Sequence, residues 1–364
     1  MTSATLEARL AALPRVRFLP WATPIEPQPG LSRLLGIDLL IKRDDLTGLA
    51  FGGNKVRQLE FYFGKAIAEG ADTALITGAV QSNYVRVAAA CAARLGMHCH
   101  IQLEERVSGV DQTYRSSGNV LLSRLLGAVL HSYPAGEDEE GADRRLGEIA
   151  AELEREGRRP FVIPLGAGQP PTGALGYVCC ALELLGQARD FDRVVIASGS
   201  GHSHAGLLFG LRFLGWRGPV HGMCVRRGAA LQQERILRHC SQLSVIVGDG
   251  ATIGPEDVLL HDDVLSPGYG VVNPEVERAI RACASLDGLL VDPVYTGRAM
   301  AGLMHCVADG TITSGDRVLF VHTGGLPALF GYARDLGPLL TPRDGAFLSA
   351  GRSGPPLPMG AASR

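Results

Sequence analysis

RVVIASGSGHSHAGLLFGLRFL, residues 193–214, passes from a short apolar run through a glycine–serine loop into a second apolar segment of helix length. The run RVVIA is suited to a buried parallel strand, and HAGLLFGLRFL is suited to a helix. The same order recurs where TALIT at 73–77 leads through GAVQSN into YVRVAAACAARL, a helix that Gly96 is expected to end. Strands that alternate with helices predict βαβ units, and therefore an α/β fold with open, mostly parallel, twisted sheets.

Further apolar runs complete the predicted sheets. They are HCHIQL at 98–103, VHGMCV at 220–225, GLLV at 288–291 and RVLFV at 317–321. The charged segment 134–160 predicts a solvated face, helical in its second half, with no special role. After residue 340 the Gly, Pro, Ser and Ala content predicts a loosely ordered tail over 341–364.

Length and charge narrow the class of protein. The 364 residues predict two domains, or one large α/β unit with a smaller one embedded in it. Hydrophobic residues make up 46% and charged residues 20%, which is ordinary globular usage and allows a sizeable core. Lys and Arg total 35 against 37 for Asp and Glu, so the formal net charge is -2, without a basic stripe. Nucleic acid is therefore disfavoured as a partner, and a small substrate is expected.

The eight cysteines are scattered through apolar stretches, and none forms a Cys-x-x-Cys pair. They predict buried thiols in a reducing compartment rather than disulfides or a metal site. The N-terminal stretch MTSATLEARLAAL lacks the basic and apolar regions of a signal peptide. No run approaches the length of about 18 apolar residues that a membrane span needs. A cytoplasmic protein without a membrane partner is the expectation.

The loop SGSGHS at 198–203 joins the predicted strand and helix of the opening stretch. Its glycines let backbone N–H groups turn toward a ligand, its hydroxyls add donors, and the dipole of the following helix favours an anion. It is not a Rossmann fingerprint, because His204 stands where the last glycine would be, and it has no Walker lysine. The loop indicates a phosphate cradle, and a βα turn that uses small residues for packing is the alternative.

Gly52-Gly53-Asn54-Lys55 places a lysine directly after a flexible turn and ahead of an amphipathic helix. Such a lysine can be held at the wall of a cleft, where partial desolvation lowers its pKa and makes it nucleophilic. A solvated surface lysine is the alternative for this motif alone. Together with the phosphate cradle, the motif indicates pyridoxal phosphate (PLP), which needs an anion site for its phosphate and an amine for its aldehyde.

Three more motifs lie at strand-to-helix junctions or at expected strand ends. The stretch QSNY at 81–84 offers backbone N–H groups for a carboxylate and an amide for a phenolic oxygen, or simply a helix N-cap. The segments DPVYTG at 292–297 and HTGGLP at 322–327 place hydroxyls where doubly wound sheets bind ligands. Ordinary turn chemistry is the alternative for these two.

Taken together, these blocks resemble the tryptophan-synthase-β-like (fold type II) PLP enzymes, in the branch of D-cysteine desulfhydrase and 1-aminocyclopropane-1-carboxylate deaminase. The matching stretches are KRDDLTGLAFGGNKVRQLEF at 42–61, GAVQSN at 78–83, GALGYV at 173–178, SGSGHSHAGL at 198–207, DPVYTGRAMAGL at 292–303 and HTGGLPALF at 322–330. They follow the family order and cover most of the chain. The resemblance implies a two-domain fold type II PLP enzyme that acts on a small amino acid as a homodimer.

The resemblance also implies roles for single residues. Lys55 is expected to hold the cofactor as a Schiff base, and Asn83 to bond its phenolic oxygen. The phosphate is expected on Ser198, Gly199, Ser200, Gly201, His202 and Ser203. Ser82 is expected to grip the substrate carboxylate and to assist proton transfer, with Asn83 and Tyr84 also at the substrate. No metal is implied.

Tyr295 and Tyr269 resemble the family's two active-site tyrosines, and either is expected to act as an acid toward the leaving group. Thr296 and Thr323 are expected near the pyridine nitrogen, where the cyclopropane deaminases typically have Glu and Leu. A neutral hydroxyl leaves a weaker electron sink than a carboxylate would. Such a sink still lets a good β leaving group depart but disfavours the opening of a strained carbon ring, so the desulfhydrase side of the branch is favoured.

Three departures from the family pattern lie around ligand surfaces, namely Tyr84, His202 and Gly168-Gln169-Pro170-Pro171. They leave the identity and chirality of the substrate open. Residues 1–55 and 176–340 are expected to form a large PLP-binding domain, with 56–175 as a small substrate-side domain and the cofactor between them.

The sequence thus predicts a PLP-dependent lyase. It is expected to remove a β substituent from a small amino acid and to release a 2-oxo acid and ammonia, as a D-cysteine desulfhydrase does. A ring-opening cyclopropane deaminase, a β-replacement synthase and a non-catalytic PLP-binding protein are the alternatives.

Overall fold

The computed structural model describes residues 2–164, 166, 168–248 and 250–337. Its strands are β1 Ile25–Pro27, β2 Asp38–Lys42, β3 Thr73–Ala79, β4 His98–Glu104, β5 Val129–Tyr133, β6 Pro160–Ile163, β7 Arg193–Ser198, β8 Val220–Cys224, β9 Leu259–His261 and β10 Arg317–Val321. Its helices are α1 Ser3–Ala11, α2 Pro29–Leu35, α3 Asn54–Ala68, α4 Asn83–Leu95, α5 Gln112–Ser116, α6 Gly118–Leu125, α7 Glu139–Arg155, α8 Leu175–Gln187, α9 His202–Phe213, α10 Ala229–Val247, α11 Pro274–Asp287, α12 Thr296–Ala308, α13 Ala328–Gly331 and α14 Ala333–Leu336. The tail expected over 341–364 lies outside these residues.

The strands of the described residues form two sheets. The larger sheet has the order β1-β2-β10-β7-β8-β9, in which β1 pairs antiparallel with β2 and the other pairs are parallel. The smaller sheet has the order β5-β4-β3-β6, with parallel pairs throughout. The expected α/β fold with mostly parallel sheets is therefore confirmed.

Most of the predicted strands are present, but the one predicted at 288–291 is wrong. Gly288 instead ends α11 in the left-handed conformation, with φ at +67°. Leu289 and Val291 are buried in the core beside α11 and α12, yet no strand pairs with them. An apolar run predicts burial, and burial next to a sheet does not require pairing within it.

A buried ion-pair network fixes the start of α3, the helix that contains Lys55. The Arg57 guanidinium donates to both carboxylate oxygens of Asp44 at 2.9 Å. It also donates to Glu183 of α8 at 2.9 Å, and Tyr177 of α8 donates to Asp44 at 2.7 Å. Burial alone would raise the pKa of the Asp44 carboxyl, but Arg57 and Lys42 outweigh it and hold that pKa below its usual value.

The cysteines are free thiols, and all except the half-buried Cys179 are buried. Within the described residues, no group of three or more His, Cys, Asp or Glu side chains could hold a metal ion. In the same part of the chain, no helix is both long enough and apolar enough to cross a bilayer.

Asp44→Asn is expected to destabilise the fold by about 3–5 kcal/mol, because it leaves a fully buried guanidinium without one of its carboxylates. Urea unfolding at neutral pH measures the loss. The control is Glu69→Gln, which removes an exposed pair with Lys65 and is expected to cost less than about 0.5 kcal/mol. Equal losses in the two variants would show that the Asp44–Arg57 pair does not fix α3.

Candidate active site

A cavity lies where the carboxyl ends of β3, β7 and β10 meet, and its empty space, together with the solvent at its mouth, is about 860 Å³. Parallel α/β sheets place ligands at this edge because the loops and helix N-termini converge there. The predicted site residues that line it are Lys55, Ser82, Asn83, Tyr84, Gly199, Ser200, Gly201, Ser203, Tyr269, Tyr295 and Thr323. The structure therefore brings most of the predicted residues to one cavity, although they come from six separate segments of the chain.

Lys55 lies in the first turn of α3 and lines the cavity. Its Nζ donates to Oε1 of Gln58 at 3.2 Å and lies 4.8 Å from the centre of the Tyr84 ring. Burial lowers the pKa of the amine to about 8, so about a tenth of it is neutral and nucleophilic at pH 7.

The lysine composition gives a signal that the motif analysis missed. The whole chain has three lysines, Lys42, Lys55 and Lys65. Lys42 is buried in an ion pair with Glu183, and Lys65 is more than half exposed on the far part of α3. Lys55 is thus the lysine that lines the cavity, and the count alone could have reduced the candidates to three.

The loop at 198–203, which is predicted to bind phosphate, is held by hydrogen bonds from both sides. Ser203 Oγ accepts hydrogen bonds from Asn54 and Gln58 at 2.8 Å, which ties the loop to the turn around Lys55. On the other side, the Ser200 carbonyl accepts from Arg235 Nε at 2.9 Å. Gly201 has φ at +93° and directly precedes α9, so the loop presents the N-terminus of a 12-residue helix to the cavity.

Two residues of the predicted loop are not among those that line the cavity. The Ser198 hydroxyl contacts His204 Nδ1 at 3.1 Å and accepts from Gln232 at 3.0 Å. His202 is buried, and its ring centre lies 4.9 Å from that of His239. The Ser198 hydroxyl thus contacts α9 and α10, and the His202 ring packs against α10. The cavity wall is formed by the other residues of the loop, Gly199, Ser200, Gly201 and Ser203.

Asn83 has a defined amide orientation. Its Oδ1 accepts from Asn119 Nδ2 at 3.1 Å and from Arg86 at 3.3 Å, so its NH₂ group is the part left to donate to a ligand. Ser82 caps α4, with its Oγ accepting from the Tyr84 N–H at 3.2 Å. The start of this 13-residue helix favours a negatively charged group such as a carboxylate.

Tyr269 and Tyr295 form a pair in the cavity wall, with their hydroxyl oxygens 2.8 Å apart. Burial raises the pKa of both phenols, that of Tyr295 well above its usual value. Both are therefore protonated at neutral pH and able to donate a proton.

The two threonines expected near the pyridine nitrogen occupy different places. Thr323 lines the cavity two residues after the end of β10. The Thr296 hydroxyl donates to Asp292 Oδ1 at 2.7 Å and accepts from the Asp292 N–H at 2.8 Å. Thr296 is fully buried and is not among the residues that line the cavity, so its hydroxyl hydrogen is engaged by a carboxylate of its own segment.

A charged cluster at the cavity was missed by the sequence analysis. Glu139, at the start of α7, lies in the cavity wall and is four-fifths buried. Its carboxylate accepts from Arg226 at 2.6 Å, from Arg227, and from Arg235 at 3.3 Å. The expectation that 134–160 is only a solvated face is therefore wrong at this residue, because its partners lie about 90 residues further along the chain.

These residues fit PLP. One cavity holds an amine of lowered pKa, the N-terminus of a helix with a serine hydroxyl, an amide whose donor is free, and a threonine hydroxyl. The cofactor needs an amine for its aldehyde, an anion site for its phosphate and polar contacts around its ring.

The rate at which cofactor-free protein captures PLP is expected to rise with pH, with a midpoint near 8. The neutral amine must attack the aldehyde, and burial sets the pKa of Lys55 to about 8 in place of 10.5. Stopped-flow absorbance over pH 6–10 measures it, with Lys55→Ala as the control that captures none. A midpoint above about 10 would contradict the assigned environment, since that is the value of a solvated lysine.

Glu139→Gln is expected to lower the free energy of unfolding by about 1–3 kcal/mol at pH 7, because the three guanidiniums lose their charged acceptor. Burial alone would raise the pKa of Glu139, but Arg227, Arg226 and Arg235 hold it below its usual value. The stabilisation is therefore present above the unfolded pKa of about 4.5 and is lost as the pH falls through the lower folded pKa. Urea unfolding across pH 3–7 measures both effects, with the exposed Glu148→Gln as control.

Comparison with known proteins agrees with the geometry. Residues 16–324 match the family described as "Pyridoxal-phosphate dependent enzyme". D-cysteine desulfhydrase of Yersinia enterocolitica is 43% identical over 331 residues, which cover 90% of this chain and 98% of that protein. D-cysteine desulfhydrase of Salmonella typhimurium is 42% identical over 326 residues, which cover 89% and 97%.

Solved structures show the same relationship. The crystal structure of an ACC deaminase homologue has a TM-score of 0.83 and 38% identity, and the match covers 92% of this chain and 99% of that one. Threonine deaminase isoform 2 from Solanum lycopersicum has a TM-score of 0.64 at 17% identity, which shows a shared fold. The expected fold type, cofactor and enzyme class are confirmed, and the chain belongs to the pyridoxal-phosphate dependent enzymes, as a lyase of fold type II.

Proposed function

We propose that this enzyme eliminates the thiol of D-cysteine and, with the consumption of one water molecule, releases hydrogen sulfide, ammonia and the corresponding 2-oxo acid. The observation that supports it most is the placement of a basic and an acidic group in one cavity: the Lys55 amine and the Tyr269–Tyr295 pair. The relatives that are 42–43% identical over most of their length are D-cysteine desulfhydrases.

The residues proposed to hold the cofactor are Lys55 for its aldehyde carbon, Gly199 to Gly201 with Ser203 for its phosphate, Asn83 for its phenolic oxygen and Thr323 beside its ring. When bound, PLP supplies an electron sink that stabilises the negative charge left on Cα after the α-proton departs. Direct contacts by Ser198, His202 and Thr296 remain predictions, because these side chains are not part of the described cavity wall.

Once the amino group of the substrate has replaced the Lys55 amine on the aldehyde carbon of the cofactor, the freed Lys55 amine is proposed to act as the general base. A base works best when its pKa is close to the working pH, and burial brings the pKa of this amine to about 8. The α-proton moves to Nζ, and the electron pair of the Cα–H bond forms the new bond between Cα and Cβ. Ser82 and the N-terminus of α4 are proposed to hold the substrate carboxylate, with Tyr84 beside it.

The tyrosine pair is proposed to serve the leaving group. As the Cβ–S bond breaks, its electron pair leaves on sulfur, which takes a proton from one of the two phenols. The hydroxyl of Tyr295 contacts that of Tyr269, so the second phenol can stabilise the phenolate left by the first. Arg106 lies 5.9 Å from the Tyr269 ring centre and adds positive charge on that side.

We also propose the domain division expected from the sequence, with residues 56–175 as a small substrate-side domain and 1–55 with 176–340 as the large one. The strands β3 to β6 of the smaller sheet all lie within 73–163, which supports it. The homodimer and the cytoplasmic location stay predictions from the family and from composition.

Tyr295→Phe is expected to lower kcat with D-cysteine by about 100-fold or more, because thiolate leaves poorly without a proton. Chloride needs no proton, so the same variant is expected to process β-chloro-D-alanine within a few-fold of the wild-type rate. Tyr133→Phe, at a tyrosine that is not among the residues lining the cavity, is the control and is expected to leave both rates unchanged. Equal losses with the two substrates would contradict an acid role for the tyrosine pair.

The function itself is tested by product analysis of the PLP-loaded enzyme with both enantiomers of cysteine, β-chloroalanine, serine and cysteate, and with the cyclopropane amino acid. Release of sulfide and 2-oxo acid from D-cysteine, lost in Lys55→Ala, is the expected result. Turnover of the cyclopropane compound alone would contradict the proposal, and incorporation of an added thiol in place of oxo-acid release would point to a synthase.

A further inference from the structure

Arg86 is a fully buried arginine on α4, one turn after Asn83, and the proposed chemistry assigns it no part. Its guanidinium donates to Asn83 Oδ1 at 3.3 Å, to the Gly52 carbonyl at 3.3 Å and to the Ala50 carbonyl. One side chain thus joins an amide of the cavity wall to the loop that leads into Lys55.

That loop has an unusual backbone. Ala50 and Phe51 have φ at +46° and +67°, and Gly52 and Gly53 follow at +61° and +107°. Non-glycine residues in this region cost roughly 1–3 kcal/mol each and persist only when the surroundings hold them there. The two carbonyls that Arg86 binds belong to this strained run, five and three residues before Lys55.

The charge of Arg86 has no carboxylate partner among the residues that the structure describes. Burial lowers the pKa of its guanidinium to about 10, so it remains charged at neutral pH. Its Nε is buried without a hydrogen-bond partner in the same part of the chain. A buried, unpaired cation is costly to keep, and its positive potential reaches the Asn83 amide that faces the cavity.

We propose that Arg86 is a positioning residue that sets the donor face of Asn83 and the approach of Lys55 at the same time. An asparagine amide can bind in two orientations, but a flip of Asn83 would turn its NH₂ against the guanidinium and against the NH₂ of Asn119. Arg86 therefore keeps the NH₂ of Asn83 on the cavity side, while its other donors keep the strained loop closed under Lys55.

The inference rests on the proposed PLP site, and its first test is independent of turnover. Arg86→Gln removes the positive charge and Arg86→Lys keeps it, so comparing the two variants separates the effect of the charge from the effect of side-chain size. Arg86→Gln is expected to raise the Kd for PLP by about tenfold and to shift the visible absorbance of the bound cofactor, with Arg86→Lys closer to wild type. The matched control is Arg212→Gln, a buried arginine at the far end of α9 that donates to Asp257 and two carbonyls.

The second test uses the wild-type reaction with D-cysteine. Arg86→Gln is expected to lower kcat by roughly 10- to 100-fold with a smaller change in KM, because reacting groups are misplaced rather than removed. In an Asn83→Ala background the same change is expected to cost much less, since residues that act through one another are not additive. Arg212→Gln is expected to reduce thermal stability while it leaves Kd and kcat unchanged.

Losses in Arg86→Gln that match those of Arg212→Gln would overturn the inference, and so would fully multiplicative losses with Asn83→Ala. If Arg86→Gln does not fold, Arg86→Met, which also removes the charge and the donors, takes its place in the same measurements, and unaltered PLP affinity and kcat in that variant would also overturn the inference. If wild-type protein binds PLP but does not turn over D-cysteine, the proposed function fails, and the Kd and absorbance measurements still decide the part played by Arg86.

Discussion

The buried pairing of Arg57 with Asp44 is the constraint on which the site depends. Arg57 lies two residues after Lys55, so whatever fixes the guanidinium also fixes the first turn of α3. Tyr177 and Glu183 of α8 also bind this pair, Tyr177 through Asp44 and Glu183 through Arg57. Helix α8 in turn packs against the larger sheet. The Lys55 side chain is long and flexible, yet its amine must be both buried and reactive. A rigid start of α3 limits the positions that this amine can reach.

The polar groups of the cavity are held in place by hydrogen bonds from side chains around them. Gln58 contacts both the Lys55 amine and the Ser203 hydroxyl, so the proposed amine and phosphate sites share a partner. Arg235 binds the carbonyl of Ser200 and also the carboxylate of Glu139, which belongs to the segment that follows the smaller sheet's β5. Side chains of α3 and α10 thus hold the loop that is proposed to bind phosphate.

Much of this could be predicted from the sequence, because the signals are local. The loop at 198–203 and the turn before Lys55 combine glycine, a polar donor and a helix start within a few residues. The strand at 288–291 was predicted wrongly because Leu289 and Val291 are apolar for packing and not for pairing. Glu139 was missed because its partners are arginines about 90 residues further along the chain. Thr296 was named from the sequence, but the hydrogen bonds of its hydroxyl with Asp292 depend on the folded backbone and could not be predicted.

The central claim is that Lys55 is the covalent anchor of the cofactor, and the lysine composition makes it directly measurable. Borohydride reduction of the PLP-loaded enzyme followed by peptide mass spectrometry finds the modified lysine among only three in the chain. The account predicts the reduced phosphopyridoxyl mass on the peptide that contains Lys55. The same mass on Lys42 or Lys65, or no modified peptide at all, would contradict it.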